Sequence, residues 1–170
     1  VYPPLYALTL IPLLYAFGMN FIALKALNVV FWAFVVWGAH AFFKLKEDPH
    51  SWRNTLLVAW SAFFFYYKQN VLSDIFFAAL VMAAILAYEY FQKKSGLKPV
   101  LWFLLAAVLA VWTRSAGICL FVAALIHLGL TKQLRAFAGA ALALSVCLGL
   151  QKVFLDNQPG YWREILSAPW

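Results

Sequence analysis

The amino-acid sequence predicts an all-α fold. It reads as one polytopic membrane domain over residues 1–170, with one interfacial helix and about six transmembrane segments. Three observations point there. Hydrophobic residues make up 66% of the chain and charged residues only 11%, against about 45–50% and about 25% in a soluble domain. Mean hydropathy is +0.83, and the apolar runs are separated by polar turns only a few residues long. The basic residues behind the net charge of +7 gather in those turns and mostly in alternate ones. That is the pattern of loops facing cytoplasm and anionic lipid headgroups. Nothing resembles a basic groove with interleaved aromatics, so a nucleic-acid partner is set aside.

The first run, Leu5 to Phe17, follows Tyr2-Pro3-Pro4, and proline suits the first turn of a helix. About 13 residues rise only about 20 Å, short of the roughly 30 Å hydrocarbon core. The run is therefore read as an interfacial or re-entrant helix, ended by Gly18-Met19-Asn20. Phe21 to Phe43 is long enough to cross. Thr55 to Tyr67 is short, and Val71 to Tyr90 can cross. Val100 to Trp112 and Ala116 to Leu130 are both short, and Leu134 to Phe154 can cross. Residues from Leu155 to Trp170 read as a polar-aromatic loop.

Charge sets the sidedness. If each run from Phe21 onward crosses once, one set of turns holds Lys44, Lys46, Arg53, Lys93, Lys94, Lys98, Lys132 and Arg135. The opposite set holds Lys68, Arg114, Lys152 and Arg163, with Lys25 just inside the first span. The positive-inside bias places the second set outside. Fusing residues 100–130 into one span would instead bury Arg114 in mid-membrane, a costly place for a charge, so a hairpin turning at Thr113-Arg114-Ser115 is preferred.

The stretch YYKQNVLSD at residues 66–74 interrupts nearly pure hydrocarbon. Helices of about 13–15 residues cannot span with both ends in bulk water. Irregular backbone at membrane depth survives where protein buries it or water lines it. Lys68, Asp74 and Arg114 are thus expected in a shared, wetted recess at the outer interface. Simpler readings stand beside this: Ser73 or Asp74 as an N-cap, preferred for Ser73, and Lys68 snorkelling to lipid phosphate. For Asp74 and Arg114 the structural and functional readings stay open.

YPPLYALTLIPLLYAFG, then NFIALKALNVVF, then YYKQNVLSDIFFAALVMAAIL, then LWFLLAAVLAVWTRSAGICLF, taken in that order, resemble the GT-C integral-membrane glycosyltransferases. The likeness covers nearly the whole chain. It is closest to the protein-mannosyltransferase and aminoarabinose-transferase-like branch (glycosyltransferase family 39-like). The resemblance implies transfer of a sugar from a polyprenyl-phosphate donor to a lipid, glycan or protein acceptor on the non-cytoplasmic face. It places Lys25 at the family's early basic position, Asp74 at its acidic residue opening a later helix, and Thr113-Arg114 at a Thr-Lys or Thr-Arg step. The family's principal catalytic Asp or Glu lies upstream of the Pro-Pro-Leu-Tyr stretch. No residue precedes Val1, so the chain is expected to be a fragment inactive alone.

Transfer needs a base for the acceptor hydroxyl and cations for the departing phosphate. Arg114 and Lys68 are the candidates for donor phosphate, with Lys25 a third. Asp74 is the candidate catalytic carboxylate, orienting a cation, a metal or the acceptor; a divalent cation is the one cofactor considered. Tyr66 and Tyr67 read first as interfacial aromatics and second as an acceptor path. Cys119 and Cys147 read as buried thiols, His127 as a satisfied buried imidazole, and Glu89 as the local partner of Lys93 and Lys94. The expected location is a multi-pass membrane protein of the bacterial inner membrane, rather than the endoplasmic reticulum, with a periplasmic or luminal active face. The rival functions are a transporter or channel segment and a non-catalytic membrane assembly subunit. The charges gather at one face with no mid-span chain of carboxylates, which speaks against an ion path.

Overall fold

The computed structural model describes residues 5–61, 73–94 and 97–155. Among them the chain is all-helical, with no strand. The helices are α1 (Leu5–Phe17), α2 (Phe21–Leu45), α3 (Ser51–Ala59), α4 (Ser73–Lys94), α5 (Leu97–Thr113), α6 (Ile118–Leu130) and α7 (Leu134–Leu155). A single 3-10 turn, Ser115–Gly117, joins α5 to α6.

Local chemistry sets the breaks. Gly18 takes φ +62°, a left-handed conformation that glycine adopts without steric cost, and stops α1. Asn20 then caps α2, its side chain accepting from the amides of Ile22 at 2.9 Å and Ala23 at 3.4 Å; this satisfies two of the orphan donors of a helix start. At the far end of α2 the chain reverses through Glu47 at φ 57°. Asp48 holds that reversal, accepting from the His50 amide at 2.8 Å and from Asn54 Nδ2 at 2.6 Å.

Side-chain pairs fix the helix directions. Phe31 stacks near Phe76, Gly38 meets Met82, and Lys46 pairs with Glu89, so α2 and α4 run parallel. Helix α5 returns antiparallel to α4: Arg114 meets Asp74 at one end and Phe103 meets Tyr88 further down. Helix α6 turns back again. Leu128 lines one small void with Val100 and Leu104, and Gly117 is seated on the backbone of Ala110 and Val111. The hairpin reading of residues 100–130 is therefore the one the fold adopts. Helix α7 reverses once more, with Gly129 beside Phe137.

The core is unusual in what it buries. Ala84, Ala107, Val111 and Phe121 are fully enclosed, with Phe103, Ala106, Ala124 and Cys147 around them. Alanine dominates that core, while Tyr15, Ile22, Trp60, Trp37 and Leu130 are exposed. Helices in lipid have no hydrophobic drive to associate and pack through small residues instead, a pattern this alanine-rich core shares. Buried hydroxyls are satisfied within their own helices: Thr113 Oγ1 donates to Leu109 O at 2.8 Å and Thr55 Oγ1 to Ser51 O at 2.7 Å.

Two helices, Phe21–Leu45 and Ser73–Lys93, are long and apolar enough to cross a membrane. Helices α1, α5 and α6 are shorter than a span, and α7, 22 residues long, has its apolar stretch at Ala136–Leu150, so of about six expected spans two qualify by length and composition among the described residues. Most boundaries agree with the sequence reading. The exception is α3, which begins at Ser51, earlier than the expected Thr55, and closes at Ala59; the rest of the expected 55–67 run, from residue 62, lies outside the described residues.

Candidate functional site

The bundle has two chemically different ends. At one, Lys46 bonds Glu89 at 2.7 Å, Lys93 lies 3.6 Å from Glu47, Lys93 also donates to the Leu45 carbonyl, and Gln133 donates to Gln92 at 3.3 Å. Lys132 lies in the α6–α7 turn of this same end. At the other end stand Asp74 and Arg114, joined as an ion pair.

Each partner is held by its own local structure. Asp74 is the second residue of α4, where free backbone N–H groups and the helix dipole favour negative charge. Arg114 is extended, at φ −151° and ψ 141°, between α5 and the 3-10 turn. Its amide donates to Ala110 O at 2.9 Å, and its carbonyl accepts from the Gly117 amide at 2.9 Å. The backbone of Arg114 is thereby fixed, and its guanidinium projects to Asp74. The Asp74 side chain is 19% exposed and that of Arg114 40%. The pair is half-sunk, reachable from outside but shielded enough for its charges to matter.

Below the pair lies a groove of about 380 Å³ between α2 and α4, lined by Val35, Phe77, Ala78, Val81, Met82, Asp74 and Arg114. Apart from the ion pair the lining is hydrocarbon and thioether. From Asp74 to Met82 the groove follows α4 for about 12 Å. It narrows where Gly38 meets Met82, with Leu86 beyond. The arrangement suits an amphiphile with an anionic head and an apolar tail: arginine has five N–H donors in a rigid fork, and one carboxylate does not use them all.

Of the sequence-predicted site residues, the fold brings Asp74 and Arg114 together. Lys68, Tyr66 and Tyr67 lie outside the described residues. Lys25 is exposed on α2, about 15 Å along the helix from Val35, and does not line the groove. Ser73 is the first residue of α4. Three smaller expectations are corrected. Glu89 pairs across to Lys46 on α2 rather than with Lys93 on its own helix, because Lys93 reaches Glu47 and Leu45 instead. Cys119 is exposed, while Cys147 is buried as expected. His127 is exposed rather than buried; its Nδ1 lies 2.5 Å from the Tyr88 hydroxyl. His40, without a role in the sequence reading, sits 3.3 Å from Thr55 Oγ1 and stacks on Trp52, joining α2 to α3.

The Asp74 carboxylate faces the Arg114 guanidinium, and among the described residues no group of three metal-ligating side chains comes together. A shared recess for Asp74 and Arg114 was expected, but its apolar lining from α2 and α4 was not. Its signal was present: Asp74, Phe77, Ala78, Val81 and Met82 recur at helical spacing and share one face of α4. Comparison with protein-family models, with curated proteins and with solved structures finds no match.

Proposed function

We propose that the chain forms part of a multi-pass membrane glycosyltransferase of GT-C type, which moves a sugar from a polyprenyl-phosphate-linked donor to an acceptor on the non-cytoplasmic face. The observation that carries this reading is the Asp74–Arg114 pair at the mouth of an apolar groove, on the end of the bundle opposite the lysine cluster. The basic end faces the cytoplasm under the positive-inside rule, which leaves the groove mouth on the other side. The alanine-lined core and apolar exterior support a lipid solvent.

In the reaction the acceptor oxygen attacks the anomeric carbon. The bond from that carbon to the phosphate oxygen breaks, and its electron pair leaves with the phosphate. Arg114 acts on the leaving group: its fork meets the phosphate oxygens where negative charge accumulates. The groove along Phe77, Ala78, Val81 and Met82 takes the first isoprene units and fixes the height of the head. Asp74 is engaged by Arg114, so the proton of the acceptor hydroxyl passes to another carboxylate base, the role that the family resemblance gives to an Asp or Glu upstream of the Pro-Pro-Leu-Tyr stretch.

The test is donor affinity. With membrane insertion unchanged, Arg114→Ala should weaken the apparent affinity for a polyprenyl-phosphate sugar by at least about tenfold, the scale of one charge-assisted hydrogen bond. An unchanged affinity removes Arg114 from the phosphate site. A transporter or channel segment would instead give flux of a solute across vesicles with no dependence on a prenyl donor.

A further inference from the structure

The charge balance of the pair bears on which phosphate the groove mouth prefers. This rests on the reading of Arg114 as the phosphate ligand. Arg114 and Asp74 pair as opposite charges, and the Asp74 carboxylate lies in the first turn of α4 facing the guanidinium. A phosphate bound on the free side of the guanidinium therefore lies with a fixed carboxylate just behind its counter-ion. A prenyl-phosphate sugar is a phosphodiester with one negative charge. The prenyl phosphate left after transfer is a monoester with about 1.5 to 2 charges at neutral pH. A bare arginine favours the monoester, since attraction grows with ligand charge. The carboxylate behind it opposes that preference, because its repulsion grows with ligand charge too.

We infer that Asp74 is a specificity-determining residue: it positions the Arg114 fork and also suppresses binding of the monoester product relative to the diester donor. The consequence is product release. Without Asp74 the spent carrier would be held more tightly than the incoming donor, and turnover would stall on it.

The two effects of Asp74 separate in one experiment. The full chain is placed in phosphatidylcholine nanodiscs, and binding of farnesyl phosphate is compared with that of its methyl diester. The wild type, Asp74→Asn, Asp74→Glu and Arg114→Gln are measured side by side. If Asp74 only orients Arg114, Asp74→Asn weakens both ligands by the same factor. If Asp74 also discriminates by charge, the ratio of monoester to diester affinity rises about three- to tenfold in Asp74→Asn, the size expected for a partial charge several ångströms from a carboxylate in a half-exposed site. Asp74→Glu should return the ratio to the wild-type value. In the wild type the ratio should rise only shallowly as pH passes through about 6, where the monoester takes its second charge, because the farther carboxylate offsets part of the arginine's attraction, and in Asp74→Asn this rise should steepen. An unchanged ratio in Asp74→Asn overturns the inference while leaving the phosphate site standing. Binding of neither ligand to the wild type, or binding unaffected by Arg114→Gln, overturns the phosphate site and this inference with it.

Discussion

Gly117 is the position at which one added methyl group should do most damage to the candidate site. A Cβ placed there would lie 2.5 Å from the Val111 nitrogen, 2.6 Å from the Ala110 carbonyl carbon and 2.8 Å from the Ala110 oxygen. All three are backbone atoms, so no rotamer change relieves the clash; α6 must lift away from α5. Overpacking a tight interior costs about 1–3 kcal/mol, and a backbone-on-backbone clash belongs at the upper end. Gly117 sits at φ −59° and ψ −21°, which alanine adopts freely, so replacing glycine recovers up to about 1 kcal/mol of chain entropy. The net loss should be about 2 kcal/mol, close to a thirtyfold drop in the folding equilibrium. The assay is reversible SDS unfolding in mixed micelles, followed by helical circular dichroism. Gly139→Ala serves as control, because nothing lies within 4 Å of a Cβ there, and it should be neutral or slightly stabilising. If Gly117→Ala unfolds no earlier than Gly139→Ala, the close α5–α6 hairpin that presents Arg114 is wrong.

Two further substitutions probe the frame around the site. Phe121 is fully enclosed among Phe103, Ala107 and Val111; since lipid also solvates the unfolded helices, only the lost packing and the cavity count, and Phe121→Ala should cost about 2 kcal/mol in the same unfolding assay. Glu89 pairs with Lys46, whose side chain is 49% exposed, so Glu89→Gln should cost under about 1 kcal/mol, and the difference should shrink further in high salt.

Much of this frame can be read from the residues themselves. The Asn20 cap and the glycine at 18 follow from rules that act over three or four residues, and the boundaries of α1 and α2 agree with them closely. The hairpin at Arg114 was legible from charge cost alone. What the sequence hid depends on contacts across the bundle. Glu89 has two lysines within one turn of its own helix, yet it pairs with Lys46, because α2 and α4 run parallel and bring that lysine alongside. Cys119 and His127 sit in apolar runs that suggest burial, but which face of a thirteen-residue helix meets its neighbours is decided by packing. The groove was hidden for the same reason. Phe77, Ala78, Val81 and Met82 read as ordinary span residues until Val35 and the narrowing at Gly38 stand opposite them. Span number also stays open to local sequence, since α5 and α6 are apolar throughout but too short to qualify.

Everything functional turns on the two ends of the bundle facing different aqueous compartments. Single cysteines at Ser115, beside Arg114, and at Lys132, both exposed turn positions, can be introduced into a Cys119→Ser, Cys147→Ser background. They are then reacted with a membrane-impermeant maleimide in sealed vesicles of known orientation. Ser115→Cys should be modified from the non-cytoplasmic side only and Lys132→Cys from the cytoplasmic side only. Modification of both from one and the same side would contradict the sidedness on which the proposed donor binding at Arg114 depends.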